Sequence, residues 1–170
     1  METLKAIKTR RSIRKYTESA VPDDAIETLL AAAMAAPSAG NEQPWHFIVI
    51  RDRNMLEKIS KKHQYAQMAK DAQVAIVVCG DETLEKYKGF WVQDCSAATQ
   101  TLLLAAHAQG LGAVWCGIYP AKDRVSAFRE LLRLPDHIVP LCVVPIGYPA
   151  EEKPSAERYS SARVHHEAWE

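Results

Sequence analysis

Val74-Ala75-Ile76-Val77-Val78-Cys79, and the run without Gly or Pro from Trp91 to Gln109, decide the fold. The first is apolar at every position, the pattern of a strand covered on both faces. In the second, Val92, Cys95, Thr99, Leu102, Leu103 and Ala106 recur at helical spacing. Its many alanines (Ala97, Ala98, Ala105, Ala106, Ala108) leave room for another backbone to come close. Gly110 and Gly112 stop this helix, and Ala113-Val114-Trp115-Cys116 opens a further strand. A doubly covered strand followed by a long helix and another strand requires one central sheet with helices packed on it.

Working outward, Leu4 and Ile7 predict a short opening helix that ends at the basic stretch Arg10-Arg11-Ser12-Ile13-Arg14-Lys15. Pro22, Asp23 and Asp24 start a second helix, with proline in the tolerated first turn and acids at the positive end of the dipole. Ile26, Leu29, Leu30 and Ala33 form its apolar face, and Pro37 ends it. Trp45 to Ile50 reads as a strand, Met55, Leu56 and Ile59 as a short helix, and Val125, Phe128, Leu131 and Leu132 as another before Pro135. Val139 to Ile146 is a strand interrupted by Pro140 and Pro145. Beyond Pro149 the chain turns polar, and Tyr159, Val164 and Trp169 are the anchors of a tail expected to dock on another surface. The reading is one domain over residues 1–170, α/β or α+β, with residues 150–170 as an extended tail.

Composition excludes several classes of function. The 170 residues hold 21 Lys+Arg against 21 Asp+Glu, so there is no cationic excess to release counterions from a nucleic acid. No run of 18 apolar residues exists, and Met1 to Lys5 carries no apolar signal region, so neither a membrane nor a secretory route is expected. Cys79, Cys95, Cys116 and Cys142 form no CxxC pair and sit mostly in apolar runs, which suits reduced thiols in a cytoplasmic protein. The six histidines show no metal-ligand spacing, and neither GxSxG nor a phosphate-binding P-loop occurs.

Three stretches can carry chemistry. If Arg10–Lys15 is extended, period two puts Arg10, Ser12 and Arg14 on one side. Guanidinium forks match phosphate oxygens and carbonyl edges, though a solvated charged turn has the same composition. Pro37-Ser38-Ala39-Gly40-Asn41-Glu42-Gln43-Pro44 is stiffened by two prolines, and Gly40 permits a left-handed turn; it can lie flat against a planar ligand or simply join helix to strand. Gly110-Leu111-Gly112 lacks the third glycine of a dinucleotide fingerprint and follows a helix instead of preceding one. Cys116-Gly117-Ile118, at a strand end, is the better place for backbone facing a ligand.

Together these stretches resemble the FMN-dependent nitroreductase family. Arg10-Arg11-Ser12-Ile13-Arg14-Lys15-Tyr16, Ala36-Pro37-Ser38, Gln43-Pro44-Trp45-His46-Phe47, the Gly-Leu-Gly turn and Glu157-Arg158-Tyr159 occur in the family's order. The resemblance implies a compact member with an α+β nitroreductase-like fold. Its sheet would be central, mixed and mostly antiparallel, flanked by helices, in an intertwined homodimer whose C-terminal tail docks on the partner. It further implies FMN at the dimer interface, with NADH or NADPH as electron donor. Arg10 and Ser12 would hold phosphate and ribityl oxygens, Arg11 would add contacts, and Arg158, with Lys153 as a second candidate, would clamp the phosphate. Arg14 would tune the flavin from its N1–C2 edge. Pro37, Ser38, Ala39 and Asn41 would cover the ring from the partner, and Cys116, Gly117 and Ile118 would lie beside it. The helix before the second strand lacks the Asn and Lys of some relatives, leaving Gln67 to bond the flavin. No protein acid or base is demanded, because flavin N5 carries the hydride in ping-pong reduction of nitroaromatics, quinones or similar small acceptors. The alternatives are other flavin chemistry in the family, namely reductive dehalogenation or flavin breakdown, and a non-enzymatic anion- or RNA-binding module.

Overall fold

In the computed structural model, which describes residues 1–169, the doubly apolar run lies inside one sheet. The helices are α1 (Thr3–Thr9), α2 (Asp23–Met34), α3 (Arg53–Lys62), α4 (Trp91–Ala108) and α5 (Lys122–Leu132). The strands are β1 (Trp45–Ile50), β2 (Val74–Asp81), β3 (Gly112–Ala113), β4 (Cys116–Gly117) and β5 (Ile138–Gly147). Their order is β1-β2-β5-β3, with β4 also on β5, and every ladder is antiparallel. The parallel component of the expected mixed sheet is a single isolated bridge between Ser12 and Ala113.

Alternation along β2 explains why no position from Val74 to Cys79 is polar. Val74, Ile76 and Val78 enter a core with Leu29 and Ala33 of α2 and Leu102 and Ala106 of α4. Ala75, Val77 and Cys79 enter a second core with Leu56 and Ile59 of α3 and Phe128 of α5. Each large aliphatic side chain so buried contributes roughly 1.5–3 kcal/mol, so both faces of the strand stabilise the sheet.

Proline shapes the far side of β5. The strand expected from Ala113 to Cys116 is split into β3 and β4, and the break falls opposite Val144 and Pro145. A proline has no amide to give a ladder; the Pro145 carbonyl instead lies 3.1 Å from Tyr16 Oη. A register shift beside Cys79 leaves Leu141 without a partner in β2. Its carbonyl accepts the Ile118 and Tyr119 amides at 2.9 and 3.0 Å, which fixes the end of β4.

The basic stretch runs extended over the same edge as a strap. Ser12 bridges Ala113, Tyr16 bridges Pro149, and the Ile13 amide donates to the Ala113 carbonyl at 3.1 Å. Two glycines receive it. A Cβ on Gly112 would stand 2.6 Å from Ile13 Cγ2, and one on Gly147 would stand 3.0 Å from Tyr16 Cβ. Among the described residues no helix is long and apolar enough to cross a membrane.

Candidate functional site

The strap alternates only in part, since Arg10, at the end of α1, lines one cleft together with its neighbour Arg11. Ile13 turns onto Gly112, while Arg10 and Arg14 line two separate clefts. The chain just after β5 holds the strap from outside. Glu151 accepts the Arg14 amide at 2.6 Å, Lys153 Nζ donates to the Ser12 carbonyl at 2.7 Å, and Arg11 Nε donates to the Pro154 carbonyl at 2.7 Å. The Arg14 amide and the Lys153 ammonium hold the Glu151 carboxyl below its usual range, so this clasp stays ionised.

The first cleft, about 640 Å³, is lined by Arg10, Arg11, Glu157, Arg158 and Tyr159 with the end of α1. Burial, then the neighbouring charges of Arg158 and Arg11, depress the Arg10 guanidinium. Like charges have been brought together without compensation: among the described residues none of these three arginines has a carboxylate within ion-pairing distance. Arg11 is partly spent inside the fold, with Nη1 on the Lys8 and Arg10 carbonyls, yet its Nη2 is buried with no partner. An orphaned donor costs about 1–3 kcal/mol when nothing accepts from it, so the cleft is suited to an anion.

The second cleft, about 450 Å³, brings together Arg14, Gln67, Cys116 and Gly117 with Gln64, Tyr65, Met68 and Trp115. Burial pushes the Cys116 thiol up to about 11 despite the Arg14 cation, so it is a neutral wall, and it donates to the Tyr65 carbonyl. The Gly117 carbonyl accepts from His63 Nε2 at 2.8 Å and Arg124 Nη1 at 3.0 Å. His63 Nδ1 accepts the Tyr65 amide at 3.1 Å, and the Arg124 guanidinium lies 5.2 Å from the centre of the Tyr65 ring. His63 thus fastens both walls of the cleft together. Burial is the main cause that keeps it neutral, aided by the Arg124 charge. Sequence reasoning missed His63 and Arg124, because nothing local marks a histidine whose partner lies in another strand.

Two expected groups, Ile118 and the Pro37–Asn41 turn, lie outside both clefts of their own chain. Ile118 has no exposed surface and its amide belongs to Leu141, so it supports Gly117 from below and contributes no face to the cleft. Pro37, Ser38, Ala39 and Asn41 line neither cleft. They form a turn against α4, where Ser38 Oγ accepts the Gln43 amide and Asn41 accepts from Gln43 Nε2. The anchors Tyr159 and Trp169 stand 77% and 86% exposed, so the tail beyond Pro154 does not bury them on its own chain.

Comparison with known proteins agrees with this geometry. The model of the Nitroreductase family matches residues 7–89 and 60–148. A protein of Methanothermobacter thermautotrophicus, provisionally named NADH dehydrogenase/NAD(P)H nitroreductase, is 56% identical over 169 residues, covering 99% of this chain and 88% of the relative. An FMN-dependent nitroreductase of Clostridium difficile superimposes with a TM-score of 0.90 at 30% identity, covering 98% of this chain and 99% of that one. A provisionally named nitroreductase of Desulfovibrio desulfuricans, solved in complex with FMN, gives a TM-score of 0.86 at 33% identity over 100% of this chain and 99% of that one. With the family model matching most of its length and a relative 56% identical over nearly all of it, the chain belongs to the nitroreductase family.

Proposed function

We propose that the chain is an FMN-dependent oxidoreductase that takes hydride from NADH or NADPH and reduces nitroaromatics, quinones or similar small acceptors in a ping-pong cycle. The observation that carries this reading is the cleft of Arg10, Arg11 and Arg158, three guanidiniums none of which has a carboxylate within ion-pairing distance among the described residues, although Glu157 shares the lining. A dianionic phosphate ester supplies a counter-charge, and guanidinium forks grip it through paired hydrogen bonds. FMN, when bound, supplies the two-electron carrier that the protein's own side chains lack.

This chain's residues then bind, orient and tune. Arg10 and Arg158 hold the phosphate, the Arg11 charge adds to the field around it, and Ser12 lies between Arg10 and Arg14 in sequence. Arg14, exposed on the strap beside Cys116, offers a cation to the ring edge that gains negative charge on reduction, and such a fixed charge favours the reduced form. Gln67 offers an amide, and Gly117, pinned by His63 and Arg124, gives a flat wall.

The turn at Pro37–Asn41 serves a second copy of the chain. Lining neither cleft of its own chain, it is free to cover the ring bound by the partner, while the exposed Leu4, Ile7, Tyr159 and Trp169 supply apolar surface for a homodimer. The test is direct. Purified protein should be yellow, or take up added FMN, and should bleach without oxygen on addition of NADH or NADPH. A colourless protein that ignores FMN contradicts the proposal.

A further inference from the structure

Away from both clefts, two acidic side chains are buried against each other. Glu42, 8% exposed, follows the Ala39–Asn41 turn, and Asp94, 5% exposed, lies at the start of α4. One oxygen of each is accounted for. Glu42 Oε2 accepts the Lys86 and Tyr87 amides at 2.7 and 3.2 Å, and Asp94 Oδ1 accepts the Ala39 amide at 3.0 Å. The remaining oxygens, Glu42 Oε1 and Asp94 Oδ2, are buried and receive no hydrogen bond from any N–H or hydroxyl among the described residues. The two carboxyls lie within hydrogen-bonding reach of each other. Facing carboxylates out of water cannot both hold charge, and two orphaned acceptors side by side add a further cost. A single proton between them removes both difficulties.

We propose that Glu42 and Asp94 share one proton, seated on Asp94 and donated to Glu42, and that this acid pair positions the turn expected to cover the flavin. The inference rests on the reading of Pro37–Asn41 as that cover. The proton's seat follows from the surroundings. Glu42 accepts two amides and faces the Lys86 ammonium, whereas Asp94 accepts one amide and faces the Glu85 carboxylate. Burial drives both carboxyls up, but the Lys86 and Tyr87 amides bring Glu42 below its usual range while Asp94 stays above its own.

The pair joins three parts of the chain. Through Ala39 it holds the turn, through Lys86 and Tyr87 it holds the segment before α4, and Asp94 itself belongs to α4. Lys86 Nζ also donates to the Gly40 carbonyl at 2.8 Å, and Tyr87 lies so close over Gly40 that a Cβ there would stand 2.6 Å from Cε2. Glu85 is itself tied down, accepting the Gly89 and Trp91 amides at 2.7 and 3.1 Å. Raising the pH through the elevated pKa of Asp94 withdraws the proton, sets two anions against each other and loosens the turn. Acidification leaves the pair closed.

Amide substitutions test this reciprocally. In Asp94→Asn the amide oxygen still accepts from Ala39 and the amide N–H replaces the shared proton. In Glu42→Gln the oxygen still accepts from Lys86 and Tyr87, and the N–H donates to an ionised Asp94. In the double variant N–H meets N–H. FMN affinity by fluorescence quenching, over a pH series spanning the whole range in which the fold is stable, and the thermal midpoint of flavin-free protein are measured on all four chains. Wild type is expected to lose FMN affinity about tenfold along the alkaline limb. Each single variant stays within about threefold of the neutral wild-type value with no alkaline limb, and the double variant is weaker by about tenfold or more throughout. The flavin-free midpoints follow the same order. A double variant as tight and as stable as the singles, or Asp94→Asn with the wild-type alkaline limb, overturns the proposal. If no chain binds FMN, the reading of the cover fails, and the midpoints still decide the shared proton.

Discussion

Replacing Gly112 by alanine should weaken FMN binding by moving the strap, with no loss of any group that touches the ligand. The new Cβ would stand 2.6 Å from Ile13 Cγ2, 2.8 Å from its Cβ and 3.2 Å from its Cγ1. Carbon pairs are at rest near 3.5–4.0 Å, so roughly 1 Å must be found. Turning the Ile13 side chain does not find it, because its Cβ is fixed to the backbone; the strap itself must shift, and Arg10 and Arg14 shift with it. Overpacking of this kind costs about 1–3 kcal/mol. Taking about 2 kcal/mol, a chain of this size should melt about 4–8 °C lower. FMN affinity should fall by about tenfold besides, since charge-assisted hydrogen bonds are sensitive to such displacements. Gly110→Ala is the control. Gly110 has φ of +77° with nothing within 4 Å of its added Cβ, so alanine there costs roughly 1–2 kcal/mol of backbone strain and leaves the strap alone. Calorimetry and FMN titration on both variants separate the effects. If Gly112→Ala loses stability yet binds FMN as wild type does, the strap does not place the arginines as argued.

Other outcomes follow from the same contacts. Arg14→Ala should shift the reduction potential of bound FMN to a more negative value by about 30 mV, equivalent to about 1.4 kcal/mol, in a dye-coupled equilibrium titration; an unchanged potential would show the cation is not at the ring. His63 is depressed chiefly by burial, so the unfolded chain binds its proton more readily. Stability should therefore fall as pH drops from about 6.5 through the lower folded value, and His63→Gln should shrink that acid limb in thermal melts. His107, depressed by burial and by Arg10 and Arg11, adds to the same limb, and the depressed carboxyls of Glu42, Asp81 and Glu151 extend it to lower pH. Removing residues 160–170 spares the Lys153–Ser12 and Arg11–Pro154 clasps, so the truncated chain should stay folded; if the tail docks on a second copy as proposed, light scattering should show a smaller average mass for the truncated chain than for the full one.

Much of this was legible because the decisive patterns are local. β2 reads as doubly buried because each of its eight residues is, and α4 ends within a residue or two of where Gly110 places it. The period of Arg10–Arg14 anticipated that Ile13 would turn away from Arg14, but it put Arg11 on the side of Ile13, whereas Arg11 shares a cleft with Arg10. What stayed hidden depends on distant partners. Pro145 breaks the opposite edge into β3 and β4, which no reading of Ala113–Cys116 alone could reveal. Ile118 looked like a strand end facing a ligand, but the bulge at Leu141 captures its amide. Glu42 read as one polar letter in a turn until Asp94, on another element, was seen against it.

The most direct test compares FMN with riboflavin, which differs only by the phosphate, in titrations of flavin-free protein at low salt. If the unpaired arginines of the first cleft exist to hold that group, riboflavin should bind at least about a hundredfold more weakly, and Arg10→Ala with Arg158→Ala should erase most of the difference. Equal affinity for the two flavins, in wild type, would contradict the account.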